Sequence, residues 1–379
     1  MNIRLFFYFL ALRFRGELKK HIDTILLSTL LLTLLSGVMM TSSTYQHYIN
    51  TQLEKKSDFV LQNRVGGRAV KMPEEWVDSV VEIRGVSRVT PRIYQKERDF
   101  LILGVDFLED VADKNIDKLL KSIDLKRLLS QNLALVGSKF STKSGSISIS
   151  IRGKRVNLKT LPLSKEKQSL LPQNMILLPI DYAREVLNFR EGYISDISFV
   201  VENGDEWTNI LSKLDSLFFT SWGVDKLEIR GAYSRMFGFK DGFFLLIFSI
   251  VLLIFSLILY SRYSQLYQSS RRDIGILKAV GWSINSILLL IFSESLIIIL
   301  ISFILGLLGG VLLFYFGEYP FFGDIFLPVE ELRAVARPNL YLDFATLSSI
   351  FILFALPFIA SVIVPVWRIA ITNPKESML

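Results

Sequence analysis

The chain has no cysteine and only two histidines, His21 and His47, in 379 residues. Without cysteine there is no disulfide framework, thiol nucleophile or cysteine-built metal site. Two histidines are too few for a histidine-built metal centre. No Gly-x-x-x-x-Gly-Lys-Ser/Thr phosphate loop occurs, so the chain cannot hydrolyse ATP in the usual way. The acids Asp99, Asp106, Glu109 and Asp110 lie in no setting that suggests paired acid–base work. Ser138 and Ser141 lack a histidine partner, because His47 sits beside an apolar run. These absences point away from an enzyme. The net charge of +7 would fit nucleic acid if it were spread over a soluble surface. It is not, and the hydropathy shows why.

Hydrophobic residues make up 51% of the chain and the mean hydropathy is +0.40, too apolar for an ordinary soluble fold. The excess collects in four runs, each long enough to cross a bilayer as a helix of roughly 20 residues. They are assigned to residues 21–42, 243–261, 284–316 and 344–366. The first is read as a retained span, because its basic leader is long for a signal peptide and no small-x-small cleavage site follows.

Basic residues choose the sides. Arg4, Arg13, Arg15, Lys19 and Lys20 precede the first span. Arg262, Arg271, Arg272 and Lys278 lie between the second and third, and Arg368 and Lys375 follow the fourth. The short loop 317–343 is acidic. The positive-inside rule then makes both termini and the 262–283 loop cytoplasmic, and puts loop 317–343 and the long segment 43–240 outside. Residues 1–20 are expected as an interfacial helix on anionic head groups, with the start of the first span as the alternative. The tail is 367–379.

The outer segment has α+β texture. "DFVLQNRV", "VSRVTPRIY" and "DFLILGVDF" read as strands. "PEEWVDSVVEIRG" reads as a helix beginning at Pro73 and ending at Gly85. "GSISISIRGKRVNLKTL" reads as a hairpin turning at Arg152-Gly153. "MILLPIDYAREVLNF" and "DISFVVENGDEWTNILSKLDSLF" each read as strand then helix, and "VDKLEIR" as a final strand. "RVGGRAV" is either a turn between strand and helix or an anion cradle beside Arg64 and Arg68. "STYQHYINTQLEKK" and "RGAYSRMFGFKDG" are expected to prolong the first and second spans outward as two stalks.

Between spans two and three, "SSRRDIGILKAVGW" carries Ile274, Leu277 and Lys278 at helical spacing, with a stop at Gly281. The stretch "RRDIGILKAVGWSINSILLLIFSESLIIILISFILGLLGG" resembles the signature of FtsX-like ABC transporter permeases of the MacB/LolC type. Arg271, Arg272, Asp273, Ile274, Gly275, Lys278, Gly281, Glu294, Ser295, Gly306, Gly309 and Gly310 carry the resemblance. In the tail, Pro365, Ala370 and Pro374 add to it. It implies a four-span α-helical membrane protein of the bacterial inner membrane, with a MacB-like periplasmic α+β domain between the first two spans. It also implies a coupling helix that docks a separate ATP-binding subunit through Arg271, Arg272, Asp273, Ile274, Gly275, Leu277, Lys278 and Gly281. Two ATPase copies holding ATP and magnesium are implied, with a second permease copy or homologue, and an adaptor or lipoprotein outside. The chain itself needs no cofactor. The implied function is export or extraction of a hydrophobic or amphiphilic substrate. The alternative is an FtsX-like signalling subunit that regulates an outer partner and transports nothing, although division-type proteins of that kind carry a smaller outer domain.

Glu294 is the one acid inside the third run. That run, as a helix of about 1.5 Å per residue, is near 48 Å long and overshoots the bilayer, so Glu294 is placed at its inner end. It is expected either to hydrogen-bond the coupling helix or its neighbours, or to snorkel to water. A proton relay is disfavoured, since no second intramembrane acid or histidine accompanies it. Gly306 and Gly310 form a small-xxx-small pair for close helix packing, within the subunit or across a dimer.

Overall fold

The structure, a computed structural model, describes residues 3–97, 99–140, 145–269, 275–277, 280–316 and 338–371. Helix α1 covers Ile3–Gly16, and α2 runs from Leu18 to Lys55. The outer segment supplies strands β1 (Phe59–Val65), β2 (Arg68–Val70), β3 (Met72–Pro73), β4 (Val86–Lys96), β5 (Leu101–Val105), β6 (Leu135–Val136), β7 (Ser146–Ile151), β8 (Lys154–Lys159), β9 (Met175–Pro179), β10 (Tyr193–Ile194), β11 (Asp196–Val201) and β12 (Ser221–Asp225). Its helices are α3 (Trp76–Val81), α4 (Lys114–Lys121), α5 (Leu125–Ser130), α6 (Lys165–Gln168), α7 (Ile180–Val186) and α8 (Trp207–Leu217). Three long helices follow: α9 (Lys226–Ser269), α10 (Ile284–Leu312) and α11 (Phe344–Ile371).

The residues divide into two units. One holds the apolar helices, up to His47 and from Met236 onward; the other is built on Tyr48–Arg235. The first boundary falls inside α2 and the second inside α9, so each of these helices contributes to both units.

In the apolar unit, α2, α9, α10 and α11 are each long and apolar enough to cross a membrane. Their outer faces are hydrophobic. Phe243, Leu246, Ile250, Leu253 and Leu257 of α9 are all more than half exposed. A contiguous apolar face of this size is a lipid-facing surface in a helix of this length.

The other unit is an α+β fold around a sheet ordered β12-β1-β11-β4-β5-β9-β6, with β2 paired to β1 beyond the main path. Neighbours are antiparallel except β5 and β9, which run parallel. These two strands are covered on both faces. Ile102, Ile176 and Leu178 point into one core, with Phe59, Ala183 and Phe199. Leu103 and Leu177 point into another, with Ile116, Leu119 and Leu128. Such strands read as continuous apolar runs rather than alternations, which is why "DFLILGVDF" and "MILLP" were legible. Hairpin β7–β8 turns at Arg152 and Gly153, both with positive φ (49° and 82°), as a two-residue primed turn requires.

Three local expectations need correction or resolution. Pro73 does not begin a helix: Met72–Pro73 pairs with Tyr193–Ile194 as a strand, and the helix starts at Trp76. "VDKLEIR" is not a strand throughout: pairing with β1 ends at Asp225, whose carboxylate accepts from the amide of Glu228 and so opens α9. The Gly66–Gly67 pair is a turn, with φ of 57° and 77°, but it joins two strands, β1 and β2, rather than a strand and a helix.

Candidate functional site

Glu294 sits near the start of α10 and is 1% exposed. An acid in an apolar helix is costly unless it is paired. Its two oxygens are held separately: Oε2 lies 3.0 Å from Arg13 Nε on α1, and Oε1 lies 2.9 Å from His21 Nε2 on α2. The acid does not reach water within this chain, which removes the snorkelling alternative. Its partners among the described residues are on α1 and α2, and α1 adjoins the end of the coupling segment at Trp282. A histidine does accompany it, which overturns the premise that none lay near. The signal was present in the sequence. Arg13 stands before the first apolar run and His21 at its start, as Glu294 stands in the first half of the third.

The surroundings bring five helices together. Helix α1 places Phe6 and Leu10, one turn apart, against Leu290 of α10, with Trp282 and Ile297 beside them. Phe9 meets Trp282 edge-on at 5.4 Å, and Phe14 stacks on His21 at 4.7 Å. Phe7, Tyr8 and Leu12 face outward. Helix α1 is therefore separate from α2 and packs on α10 with one face, leaving an apolar face for lipid. Arg262 of α9 donates to the Lys20 carbonyl and lies 3.3 Å from Asp23 on α2. Tyr263 is buried against Phe358 of α11, within electrostatic reach of Glu294.

Further along α10, glycines bring α2 to van der Waals contact. A Cβ on Gly306 would collide with Leu32 Cβ, one on Gly309 with Thr33 and one on Gly310 with Ser36. Ser36 Oγ donates to the Gly306 carbonyl across the seam at 3.0 Å. The glycines serve a helix pair within the chain.

At the opposite end of these helices is a polar cluster that the sequence reading missed. Asp241 of α9 accepts from Ser42 Oγ at 2.5 Å and Gln46 Nε2 at 2.7 Å. The His47 ring stacks on Tyr341 at 3.6 Å, and Thr346 Oγ1 donates to Ser43 at 3.2 Å. Only the placement of Asp241 directly before the second run hinted at it. Within the other unit, Lys226 at the start of α9 pairs with Asp58, just past α2, at 2.8 Å, and its amide donates to the Asp58 carbonyl at 2.8 Å. The adjoining ends of the two long helices are thus fastened to one residue.

Of the coupling residues, Arg271, Arg272, Asp273, Ile274 and Lys278 lie outside the described residues. Gly275 is buried and Leu277 half-buried, while Ile276 between them is 51% exposed. Gly281 has φ +94°, and the Trp282 amide donates to the Leu277 carbonyl at 3.0 Å, the bond that closes a helix over a C-terminal glycine. Ser283 then caps α10 through the Ser286 amide at 3.2 Å. Among the described residues, no group of three His, Asp or Glu side chains could hold a metal.

The chain thus has four helices long and apolar enough to cross a membrane, with one large α+β insertion between the first two. Residues 243–374 match the family model for the FtsX-like permease C-terminal domain. That region holds the coupling-loop and glycine motifs on which the resemblance rests. Two solved structures align with part of it. One is the extracellular domain of the noncanonic ABC-type transporter YknZ from Gram-positive bacteria, at 10% identity and TM-score 0.30, covering 45% of this chain and all of that one. The other is the periplasmic region of MacB from Actinobacillus actinomycetemcomitans, at 8% identity and TM-score 0.32, covering 46% and 92%. No curated protein matches the chain.

Proposed function

We propose that this chain is the membrane subunit of an ABC transporter and passes movement from a separate cytoplasmic ATP-binding subunit to its folded outer unit. In this reading the 262–283 segment receives the ATPase, through Arg271, Arg272, Asp273, Ile274, Leu277 and Lys278. Two ATPase copies and a second permease chain complete the complex in the bacterial inner membrane. Both termini are cytoplasmic and the α+β unit is periplasmic. ATP binding draws the coupling segments together, the spans tilt, and the outer units act on a hydrophobic or amphiphilic cargo.

The observation that carries this reading is that residues 243–374 match the FtsX-like permease C-terminal model, in a chain with four helices long and apolar enough to cross a membrane. The test is the double variant Ile274→Asp/Leu277→Asp in the purified complex. It should abolish coupled ATP hydrolysis while leaving membrane insertion intact; unchanged coupling would count against docking at this segment.

A further inference from the structure

Glu294 divides its two oxygens between two helices that are consecutive in the chain. Oε2 holds Arg13 on α1, and Oε1 holds His21 on α2, with the α1–α2 break at Glu17 between them. A carboxylate flanked on both oxygens constrains that break in a way an apolar contact cannot, because a guanidinium and a carboxylate lose heavily if they slide apart in a dry site. Resting on the permease reading above, we propose that α1 is a second transmitting element. Movement of the coupling segment reaches α2 through α1, with Glu294 as the latch that makes α1, α2 and α10 move as one.

The contacts form a continuous route. Gly281, at φ +94°, ends the segment that precedes α10, and Trp282 follows it directly. Trp282 bears on Phe9 of α1 at 5.4 Å. On either side of Phe9, α1 is held by Phe6 and Leu10 on Leu290, and one turn further by Arg13 on Glu294. Phe14, the next residue, stacks on His21 of α2 at 4.7 Å. Arg262 fastens the inner end of α9 to the same turn of α2, through the Lys20 carbonyl and Asp23. Both helices that continue into the outer unit therefore meet at this joint. Arg13, His21 and Glu294 are positioning residues; none touches nucleotide or cargo.

The test uses the full chain with its co-purified ATP-binding subunit in lipid nanodiscs. Hydrogen exchange is measured with and without MgATP for wild type, Arg13→Gln, Glu294→Gln and the reciprocal swap Arg13→Glu/Glu294→Arg. The expected result is that both single variants keep the ATPase subunit and the ATP-dependent exchange change in the 262–283 segment. They lose at least three-quarters of that change in residues 48–235, and the swap restores at least half of the loss. A purely structural role would not be rescued by exchanging the charges. If the single variants transmit the ATP effect within twofold of wild type, or lose the ATPase subunit itself, the latch is overturned. If Glu294→Gln does not insert, Arg13→Gln and the swap carry the comparison. A wild-type complex that shows no ATP effect in either region overturns the permease reading, and the latch with it.

Discussion

The Glu294 carboxylate stands 2.9 Å from His21 Nε2, on the helix that precedes it by more than half the chain, and both side chains are 2% exposed. Breaking a buried charged cluster by deleting one member usually costs about 3–5 kcal/mol, because the remaining charge keeps its desolvation penalty. Glu294→Ala should therefore lower the detergent-solubilised melting temperature markedly, and Glu294→Gln less. A melting temperature equal to wild type for Glu294→Ala would show that the cluster contributes nothing to stability.

The α2–α10 seam makes a second prediction. Gly306→Val places a branched side chain where Leu32 already sits, and the backbones must part. Overpacking of a tight core costs about 1–3 kcal/mol or more. Gly238→Ala, in α9 with open space around it, is the control and should be neutral or stabilising. Size-exclusion yield and thermal unfolding report both. Equal loss for the two variants would contradict a site-specific seam.

In the outer unit, Asp113 caps α4 by accepting from the amides of Asn115 and Ile116, at 2.9 and 3.2 Å. Burial holds its carboxyl above the usual carboxylate range, against those two hydrogen bonds and the pull of Lys56 and Arg92. A raised folded-state value means that the folded chain binds this proton at a higher pH than the unfolded chain does. Its charge is then a cost at neutral pH, and the cost fades as pH falls through the folded value. Asparagine caps as well as aspartate and carries no charge. Asp113→Asn should unfold at a slightly higher temperature than wild type at pH 7, and the gap should close on acidification. A gap that widens at low pH would reverse the sign.

Much of the architecture was legible because its causes are local or periodic. The four apolar runs, the β7–β8 hairpin with its Arg152-Gly153 turn, and the helical continuation of both spans follow from run length, alternation and capping residues. The errors at Pro73 and at Lys226–Arg230 have one origin. Short strands and helix starts share residue types, and pairing with a distant strand decided the first case, the Asp225 cap the second. The Glu294 site was half legible. An acid in an apolar helix announces a partner, but which one depends on α1 folding back against α10, and no pattern within either segment specifies that contact. The glycines of α10 signalled close packing. Their partners on α2, Leu32, Thr33 and Ser36, carry no such mark.

The account stands or falls on the membrane separating the outer unit from the coupling segment. Since the chain has no cysteine, single cysteines introduced at Leu108 (75% exposed) and Ile276 (51% exposed) can be labelled without background. With a membrane-impermeant maleimide applied from the outer face, Leu108→Cys should react in intact spheroplasts and Ile276→Cys only after permeabilisation. Reaction of both positions from the same side of the intact membrane would contradict the account.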